Sequence, residues 1–242
     1  MFINNIKFKT FVITGFNSGI GKKLTESLLK LDCNVILLGR KNFFFKKNTN
    51  TFFFQCKLEK VSQIEKSIKE IKNLFSSIDG FVHCAAENQI KTIDNITISD
   101  WDRILSVNLK APFLISKLLK KNFEKSKNAS IVFVSSIAGH RKSLVSGVHY
   151  VASKSGLIGL AKQLSHEYGK KNIRVNCVTP SQTLTPMLIK SMNSKQIKNL
   201  EKNIPLGRLA KTQEQVNVIL FLLSNYSSYI HGASINVDGG QI

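Results

Sequence analysis

Tyr150 and Lys154 are the two residues of this sequence whose types and spacing could do chemistry together, because they are a phenol and an amine four positions apart. On a helix this spacing places both side chains on one face, about one turn apart. An ammonium beside a phenol favours the ionised phenol, so we expect Lys154 to lower the pKa of Tyr150 from about 10. A tyrosine tuned in this way can exchange a proton with an oxygen of a bound substrate. In a chain with 35 Lys and Arg residues such a pair also arises by chance, so it carries weight only together with other motifs.

A glycine-rich turn near the N-terminus predicts a phosphate-binding cradle. A buried strand is expected over 9–14, Gly15, Gly19 and Gly21 follow it, and a helical pattern then runs to Leu31. Glycines let the backbone approach a phosphate closely, and the helix N-terminus offers free N–H groups and the positive end of the dipole. The surrounding strand and helix favour this interpretation over a plain tight turn.

The residues after the second predicted strand, 34–38, concern the choice of cofactor. In dinucleotide-binding folds an acidic residue near this point binds the ribose 2′-hydroxyl, whereas an arginine accommodates a 2′-phosphate. Here Gly39 is followed by Arg40 and Lys41, and no acid is present. The pattern therefore favours NADP(H) over NAD(H); the alternative is a solvated loop of a lysine-rich protein.

The remaining pattern alternates strands with helices, which predicts an α/β fold with a parallel sheet in a single domain over 1–242. Further strands are expected over 51–56, 79–86, 130–135, 173–178 and 233–237. Helices are expected over 61–75, from Ser99 towards Phe123, through Tyr150 to Tyr168, and from Thr212 to Ser224. Capping boxes are predicted at Ser99 with Asp102 and at Thr212 with Gln215. The polar stretch 182–210, with short helices, is predicted to form a substrate lid.

Two polar residues fall where a ligand could be handled. Ser136 follows the predicted strand 130–135, and open α/β sheets bind ligands at the carboxyl ends of their strands. Asn108 is surrounded by apolar neighbours, so its amide either satisfies buried backbone groups or positions a water molecule.

Composition excludes several classes of function. The net charge of +20 comes almost entirely from lysines spread along the chain, and no nucleic-acid motif appears, so we expect no nucleic-acid partner. The four cysteines and five histidines show no metal-ligand spacing, and no Gly-x-Ser-x-Gly elbow of a hydrolase is present. No apolar run reaches the ~18 residues of a membrane span, and no signal peptide is seen, so a cytoplasmic protein is expected.

Taken together, these motifs resemble the short-chain dehydrogenase/reductase family over nearly the full length of the chain. The motifs are Thr14-Gly15-x3-Gly19-Ile20-Gly21, Val107-Asn108-Leu109, Ser136, Tyr150-x3-Lys154, Asn176-x-Val178-x-Pro180 and Ile235-Asn236-Val237-Asp238-Gly239-Gly240. The runs IPLGRLAKTQEQV (204–216) and YIHGASINVDGG (229–240) are most similar to the 3-oxoacyl-[acyl-carrier-protein] reductase branch, although sugar and polyol dehydrogenases share much of that tail.

The resemblance implies a Rossmann-type, doubly wound parallel sheet of seven strands with helices on both faces, assembled as a homotetramer or homodimer. It implies that Tyr150 is the acid/base, that Lys154 lowers its pKa and binds the nicotinamide ribose, that Ser136 holds the substrate carbonyl oxygen, and that Asn108 orders a proton-relay water. The implied cofactor-binding residues are Gly15, Asn17, Ser18, Gly19, Ile20, Gly21, Arg40, Leu58, Cys84, Ala85, Tyr150, Lys154, Ser181 and Thr183.

The sequence departs from the family pattern at several positions. His83-Cys84-Ala85-Ala86 replaces the usual Asn-Asn-Ala-Gly, Lys57 replaces an acidic residue near the adenine, and Ser181 replaces a glycine. Ser136 and Tyr150 lie fourteen residues apart, one more than the pattern, so a longer loop specific to the substrate is expected over 139–148. These departures indicate a branch member with its own substrate.

The leading hypothesis is an NADP(H)-dependent carbonyl reductase or alcohol dehydrogenase acting on a small molecule or on 3-oxoacyl chains on a carrier protein. A sugar, polyol or nucleotide-sugar oxidoreductase is the alternative, which the polar loop of His140, Arg141, Lys142 and Ser143 could serve. A dinucleotide-binding regulator without catalysis is an alternative from another class.

Overall fold

The computed structural model describes residues 4–41, 50–191 and 193–242, in which strands and helices alternate along the chain. The strands are β1 (Thr10–Thr14), β2 (Asn34–Gly39), β3 (Thr51–Gln55), β4 (Gly80–His83), β5 (Ala129–Val134), β6 (Ile173–Pro180) and β7 (Ser234–Val237). The α-helices are α1 (Gly19–Leu29), α2 (Val61–Leu74), α3 (Ile98–Leu105), α4 (Ala111–Lys125), α5 (Val148–Tyr168), α6 (Pro186–Ser191), α7 (Ser194–Glu201) and α8 (Thr212–Leu223).

All seven strands form one parallel sheet in the order β3-β2-β1-β4-β5-β6-β7. Val12 in the middle of β1 lies between Ile36 of β2 and Phe81 of β4. From β1 the chain continues to β2 on one side, and only later reaches β4 on the other side. The loops after β1 and β4 therefore diverge, and this opens the crevice in which doubly wound sheets bind ligands. The predicted Rossmann-type fold is confirmed.

Helices cover both faces of the sheet and divide the apolar core into two layers. The first layer packs α2, α4 and α5 against one face, and the second packs α1 and α8 against the other. Neighbouring residues of one strand serve opposite layers, as Phe81 and Val82 do in β4. β5 is buried along its whole length, and its sequence is an apolar run interrupted only by Ser130.

The long helix predicted from Ser99 towards Phe123 is divided and begins earlier. Its capping box consists of Thr97 and Asp100: Thr97 Oγ1 accepts from the Asp100 N–H at 3.1 Å, and Asp100 Oδ2 accepts from the Thr97 N–H at 3.3 Å. The predicted box at Ser99 and Asp102 is therefore wrong. A π-helical turn, Ser106–Lys110, separates α3 from α4 and contains Asn108. Hydrophobic periodicity does not reveal one extra residue in a turn, whereas π turns recur at functional sites.

The predicted capping box of α8 is also wrong. The carboxylate of Glu214 accepts from the Lys211 N–H at 2.7 Å and so caps the helix. Gln215, the predicted partner of Thr212, is buried and donates to the carbonyl oxygen of Val237 at 2.9 Å and to Thr183 Oγ1 at 3.3 Å. Gln215 thus ties α8 to β7 and to the segment after β6.

Two strands end two or more residues away from the predicted position. β4 stops at His83, three residues before the predicted end, where the chain turns towards the crevice. β6 continues past Val178 to Pro180. The N–H groups of Cys177 and Ser181 point towards β7, so the N of Pro180 faces the β5 side, where pairing already ends at Val178. A proline is tolerated there because no strand partner requires its missing N–H.

Candidate active site

The glycine loop between β1 and α1 is shaped by close backbone approach. Gly15 has φ +70°, and a Cβ at this position would lie 2.5 Å from the N of Ala85. A Cβ on Gly21 would lie 2.2 Å from the carbonyl oxygen of Gly15. The loop is therefore packed against the chain after β4, and it leads into the N-terminus of α1 at Gly19. A helix N-terminus with side-chain-free backbone before it suits a pyrophosphate.

A cavity of about 1130 Å³ lies over the carboxyl ends of the central strands. This exceeds the ~300–1,000 Å³ of a typical small-molecule site, so a dinucleotide and a second reactant fit together. Of the predicted site residues, the cavity brings together Gly15, Asn17, Ser18, Gly19, Ile20, Gly21, Arg40, Leu58, Cys84, Ala85, Ser136, Tyr150, Lys154, Ser181 and Thr183. Asn108 lies behind the wall of the cavity and is fully buried. Lys57 is exposed and does not line the cavity.

Ser136 and Tyr150 meet at the catalytic end of this cavity. The Ser136 hydroxyl faces the Tyr150 phenol closely enough to favour its ionised form. Ser136 also caps the short 3₁₀ helix Ile137–Gly139, and its Oγ accepts from the Ala138 N–H at 3.1 Å. This cap fixes the position of Oγ and leaves its proton free to be donated. A carbonyl oxygen placed between the two hydroxyl groups would accept from both.

Lys154 is the buried cation of the site. Its side chain is 1% exposed, and Nζ donates to the carbonyl oxygen of Val134 at 2.8 Å. The Ser135 hydroxyl donates to the backbone carbonyl of Lys154 at 2.8 Å and ties α5 to the end of β5. Burial lowers the pKa of Lys154 to about 8, because removal from water penalises the charged form.

The predicted lowering of the Tyr150 pKa is wrong for this arrangement. Burial raises the pKa of Tyr150 to about 12, and the Ser136 hydroxyl opposes this rise only in part. Nζ of Lys154 lies 5.6 Å from the centroid of the Tyr150 ring and is directed to Val134. Helical spacing predicts the proximity of the two side chains, but it says nothing about desolvation. At neutral pH the phenol therefore keeps its proton, which is the form that donates to an oxygen.

Asn108 uses its amide to hold the chain after β4. Its Oδ1 accepts from the Glu87 N–H at 2.9 Å, and its Nδ2 donates to the Glu87 carbonyl at 2.9 Å and to Ser153 Oγ at 3.0 Å. Ser153 Oγ in turn donates to the Tyr150 carbonyl at 2.7 Å. Both amide hydrogens are thus engaged with protein groups. Of the two functions considered for this side chain, the structure supports satisfaction of backbone groups; the water-ordering role stays a prediction.

The N-terminus of α5, which carries Tyr150, is held by two residues outside the predicted site. The buried His149 accepts the Tyr150 N–H on Nδ1 at 3.0 Å, and its Nε2 lies 3.1 Å from Gln89 Oε1. With Nδ1 as acceptor, Nε2 carries the proton and donates to Gln89. The Gln89 carbonyl also accepts the Gly147 N–H at 2.8 Å. Gln89 therefore holds the first turn of α5, which contains Tyr150, through both Gly147 and His149.

His83 and Cys84, which depart from the family pattern, remain uncharged. Nδ1 of His83 lies 2.8 Å from Thr14 Oγ1, which joins β4 to β1. Burial, with the nearby Lys154 ammonium, lowers the pKa of His83 to about 3, so its ring is neutral. Burial raises the pKa of Cys84 to about 12, so its thiol keeps its proton. Cys84, which lines the cavity, and His83, which is fully buried beside it, are therefore both neutral, as the usual asparagines would be.

A charged group at the other end of the cavity was not predicted from the sequence. Glu87 follows β4 and lies 3.8 Å from Arg40, measured from Oε1 to Nη1, and 3.5 Å from Arg103, measured from Oε2 to Nε. Leu200, Asn203 and Gln241 also line the cavity without having been predicted. These residues come from separate segments of the chain, so no local spacing connects them; only the position of Glu87 just after a central strand could have indicated it.

The segment after β6 closes over the glycine loop. Thr183 pairs with Ala210 in an isolated parallel bridge, which joins the two ends of the predicted lid. Thr185 lies over α1, since a Cβ on Gly19 would be 3.0 Å from Thr185 Cγ2. Leu188 of α6 lines the cavity. The predicted short helices of the lid are observed as α6 and α7.

Two further observations concern ligands and membranes. Among the described residues, no group of three or more His, Cys, Asp or Glu side chains is arranged to hold a metal ion. The described helices also include none with the length and apolar character needed to cross a membrane.

Comparison with known proteins gives a consistent set of matches. The model of the family described as Enoyl-(Acyl carrier protein) reductase matches residues 15–241. The chain is 33% identical over 243 residues to the 3-oxoacyl-[acyl-carrier-protein] reductase FabG of Aquifex aeolicus (strain VF5), and this covers 96% of the chain and 97% of the relative.

Solved structures are similar over the whole chain. The ligand-free aldohexose dehydrogenase of Thermoplasma acidophilum superposes with a TM-score of 0.91 at 27% identity, covering 99% of this chain and 96% of that one. A short-chain dehydrogenase of Leptospira borgpetersenii serovar Hardjo-bovis (strain JB197) with bound NAD⁺ superposes with a TM-score of 0.92 at 26% identity, covering 100% and 95%.

Proposed function

Because the chain belongs to the short-chain dehydrogenase/reductase family, we propose that it is an oxidoreductase that transfers a hydride between NADP(H) and a carbonyl or alcohol. The observation that carries the proposal is the meeting of Ser136, Tyr150 and Lys154 at one end of a cavity whose other end is the glycine loop. Residues 1–242 are taken as one catalytic domain with a lid over about 182–210.

The proposed chemistry assigns each group a step that its surroundings favour. When bound, the nicotinamide supplies the hydride that reaches the carbonyl carbon. Ser136 Oγ–H donates to the substrate oxygen, and Tyr150 transfers its phenolic proton to that oxygen as negative charge develops. Burial raises the Tyr150 pKa to about 12, so the phenol holds its proton in neutral solution, and this supports the reductive direction. We assign Lys154 to the nicotinamide ribose and to the restoration of the Tyr150 proton.

NADP(H) is proposed as the preferred cofactor because of the charges near the end of β2. Arg40 and Lys41 line the cavity and no carboxylate follows β2 directly. Arg40 is 67% exposed, so its guanidinium is free to reorient towards a 2′-phosphate. The alternative is NAD(H), and it is supported by the similar short-chain dehydrogenase that was solved with bound NAD⁺.

The proposed substrate is a 3-oxoacyl chain on a carrier protein. Apolar side chains around the catalytic end suit an acyl chain; they are Ile137, Leu144, Val145, Leu188 and Leu200. The identity to FabG over nearly the whole chain supports the same substrate class. A sugar or polyol is the second candidate, favoured by the similarity to aldohexose dehydrogenase and by polar lining groups such as Ser143 and Asn203. We further propose a cytoplasmic homotetramer or homodimer.

The test is turnover of purified protein with NADPH and acetoacetyl thioesters, in parallel with oxidation of aldohexoses and polyols. We expect thioester reduction to exceed sugar oxidation, and we expect Tyr150→Phe to lower kcat by ~10²–10⁴ while NADPH still binds. Tyr226→Phe, at an exposed tyrosine remote from the cavity lining, is the matched control. Normal turnover by Tyr150→Phe would remove the proposed acid. Cofactor binding without turnover of any substrate would favour the non-catalytic regulator.

A further inference from the structure

We infer that Glu87 sets the cofactor preference of this protein by competing with a 2′-phosphate for Arg40. The inference deepens the proposed function and rests on its assignment of NADP(H) to the cavity. It depends on the ion pair between Arg40 and Glu87, which joins the loop after β2 to the loop after β4 across the end of β1.

The backbone of each partner is anchored, so the side chains must meet over the crevice. The N–H and the carbonyl group of Glu87 are each hydrogen-bonded to the side chain of Asn108 at 2.9 Å. The Arg40 carbonyl accepts from Gln55 Nε2 at 3.3 Å. Arg103 of α3 supports the other oxygen of the Glu87 carboxylate at 3.5 Å. The carboxylate is consequently a fixed negative charge in the cavity wall, with its side chain 24% exposed.

The pair is weak enough to be exchanged. Its closest approach is 3.8 Å and the Arg40 side chain is 67% exposed, conditions under which an ion pair changes an equilibrium constant by no more than about fivefold. A phosphate dianion is a better partner for a guanidinium than one distant carboxylate oxygen, because it accepts two parallel N–H bonds. Arg40 can therefore leave Glu87 for a 2′-phosphate, but Glu87, then paired with Arg103 alone, remains as a like charge close to that phosphate.

This arrangement affects the two cofactors differently. A 2′-hydroxyl carries no charge, so Glu87 does not repel this group of NAD(H), and its carboxylate oxygens can accept hydrogen bonds from it. A 2′-phosphate requires Arg40 to be released and meets the Glu87 charge. The proposed preference for NADP(H) is thus smaller than Arg40 and Lys41 alone would produce, and removal of the Glu87 charge should enlarge it.

The cavity offers a matched control for this charge. Among the described lining residues, Glu59 is the other carboxylate, and it forms no ion pair with a described residue. Glu59→Gln removes the same charge from the same cavity without releasing Arg40. If a carboxylate acts only through the general electrostatic field of the cavity, both variants change the binding of the 2′-phosphorylated cofactor. If Glu87 competes for Arg40, the additional change is found only in Glu87→Gln.

The experiment is calorimetric binding of NADPH, NADH, 2′-phospho-ADP-ribose and ADP-ribose to wild type, Glu87→Gln, Glu59→Gln, Arg40→Ala and the double variant Arg40→Ala/Glu87→Gln. We expect Glu87→Gln to tighten both 2′-phosphorylated ligands about fivefold and to change the other two less than twofold. In the Arg40→Ala background this gain should fall to about twofold or less, because only the repulsion between Glu87 and the phosphate then remains. Equal effects of Glu87→Gln and Glu59→Gln, or a gain that is undiminished without Arg40, would overturn the inference.

The ADP-ribose pair separates this inference from the proposed function, because these ligands lack the nicotinamide. If the Glu87→Gln effect is found but no substrate is turned over, competition for Arg40 stands and the oxidoreductase proposal falls. If NADPH-dependent turnover is found but the ligand preference is unchanged in Glu87→Gln, the oxidoreductase proposal stands and the assignment of Glu87 falls.

Discussion

Asn108 holds Glu87 by both of its peptide groups, with Oδ1 accepting the N–H and Nδ2 donating to the C=O, each at 2.9 Å. A buried side chain of a π-helical turn thereby fixes the wall of the cavity beside the glycine loop. The same amide reaches Ser153 on the catalytic helix, so one residue connects the cofactor end of the site with the helix that carries Tyr150.

Replacement of Asn108 should therefore cost more than the loss of one hydrogen bond. Asn108→Leu leaves the two peptide groups of Glu87 without this partner, and we expect the free energy of unfolding to fall by about 2 kcal/mol or more. Ser153→Ala, which removes one contact of the same amide, should cost about 1 kcal/mol. Urea denaturation of both variants measures the difference. Equal destabilisation would contradict the role assigned to the Glu87 contacts.

The raised pKa of Tyr150 predicts that the rate of oxidation depends on pH near neutrality and that the rate of reduction does not. Reduction needs the protonated phenol, which persists throughout neutral pH because the Tyr150 pKa is about 12. Oxidation of the alcohol needs the phenolate, so its rate should rise by about tenfold per pH unit while pH stays below the pKa of the bound enzyme. Initial rates in both directions with one carbonyl and alcohol pair, between about pH 7 and about pH 10, test this. A flat oxidation profile would mean that burial does not keep the phenol protonated.

Gly15 should tolerate no side chain. Because its φ is +70° and an added Cβ would lie 2.5 Å from the N of Ala85, the loop must shift in Gly15→Ala. We expect at least tenfold weaker cofactor binding and lower stability. Gly159 in α5 is the control, because a Cβ there meets no atom within 4 Å. Gly159→Ala should stabilise the protein by about 0.5–1 kcal/mol and leave cofactor binding unchanged.

His83 should make the folded protein sensitive to acid. Its pKa is lowered from 6.5 to about 3 in the fold, so below pH 6.5 the unfolded chain binds a proton that the folded chain does not. The free energy of unfolding therefore falls as pH drops from 6.5 towards 3, by a total on the order of 4 kcal/mol. His83→Asn removes this titration. The free energy of unfolding, measured by urea denaturation at stepwise lower pH, should fall less steeply with pH for the variant than for wild type. Equal dependence on pH would contradict the prediction.

Local patterns in the sequence predicted most of the fold, since buried parallel strands read as apolar runs and the glycine loop has a recognisable context. β1, β2 and α1 lie where the pattern indicates them. The π turn around Asn108 was not predicted, because one added residue does not disturb an apolar stripe enough to be seen. Pro180 extends a strand against its usual preference because the neighbouring strand has already ended.

The candidate site was predicted less completely, and the difference follows from the physics of its parts. Residues that act within one turn of chain, such as Tyr150 with Lys154, leave a spacing that can be read. Glu87 and Arg40 belong to different loops, and the topology alone brings them together. The direction of the Tyr150 pKa depends on solvent access, which spacing does not contain, and burial outweighs the expected effect of the neighbouring ammonium.

The position of Thr185 above Gly19 has a consequence for kinetics. A dinucleotide lying along the glycine loop would be covered by the chain from Thr183 onwards, so the lid must open before the cofactor enters or leaves. A carbonyl substrate bound in the outer part of the same cavity would obstruct that path. Binding should therefore follow a compulsory order, with the dinucleotide first to arrive and last to depart. The oxidised dinucleotide should then inhibit reduction competitively against the reduced dinucleotide, whereas the product alcohol should inhibit with a mixed pattern against the carbonyl substrate.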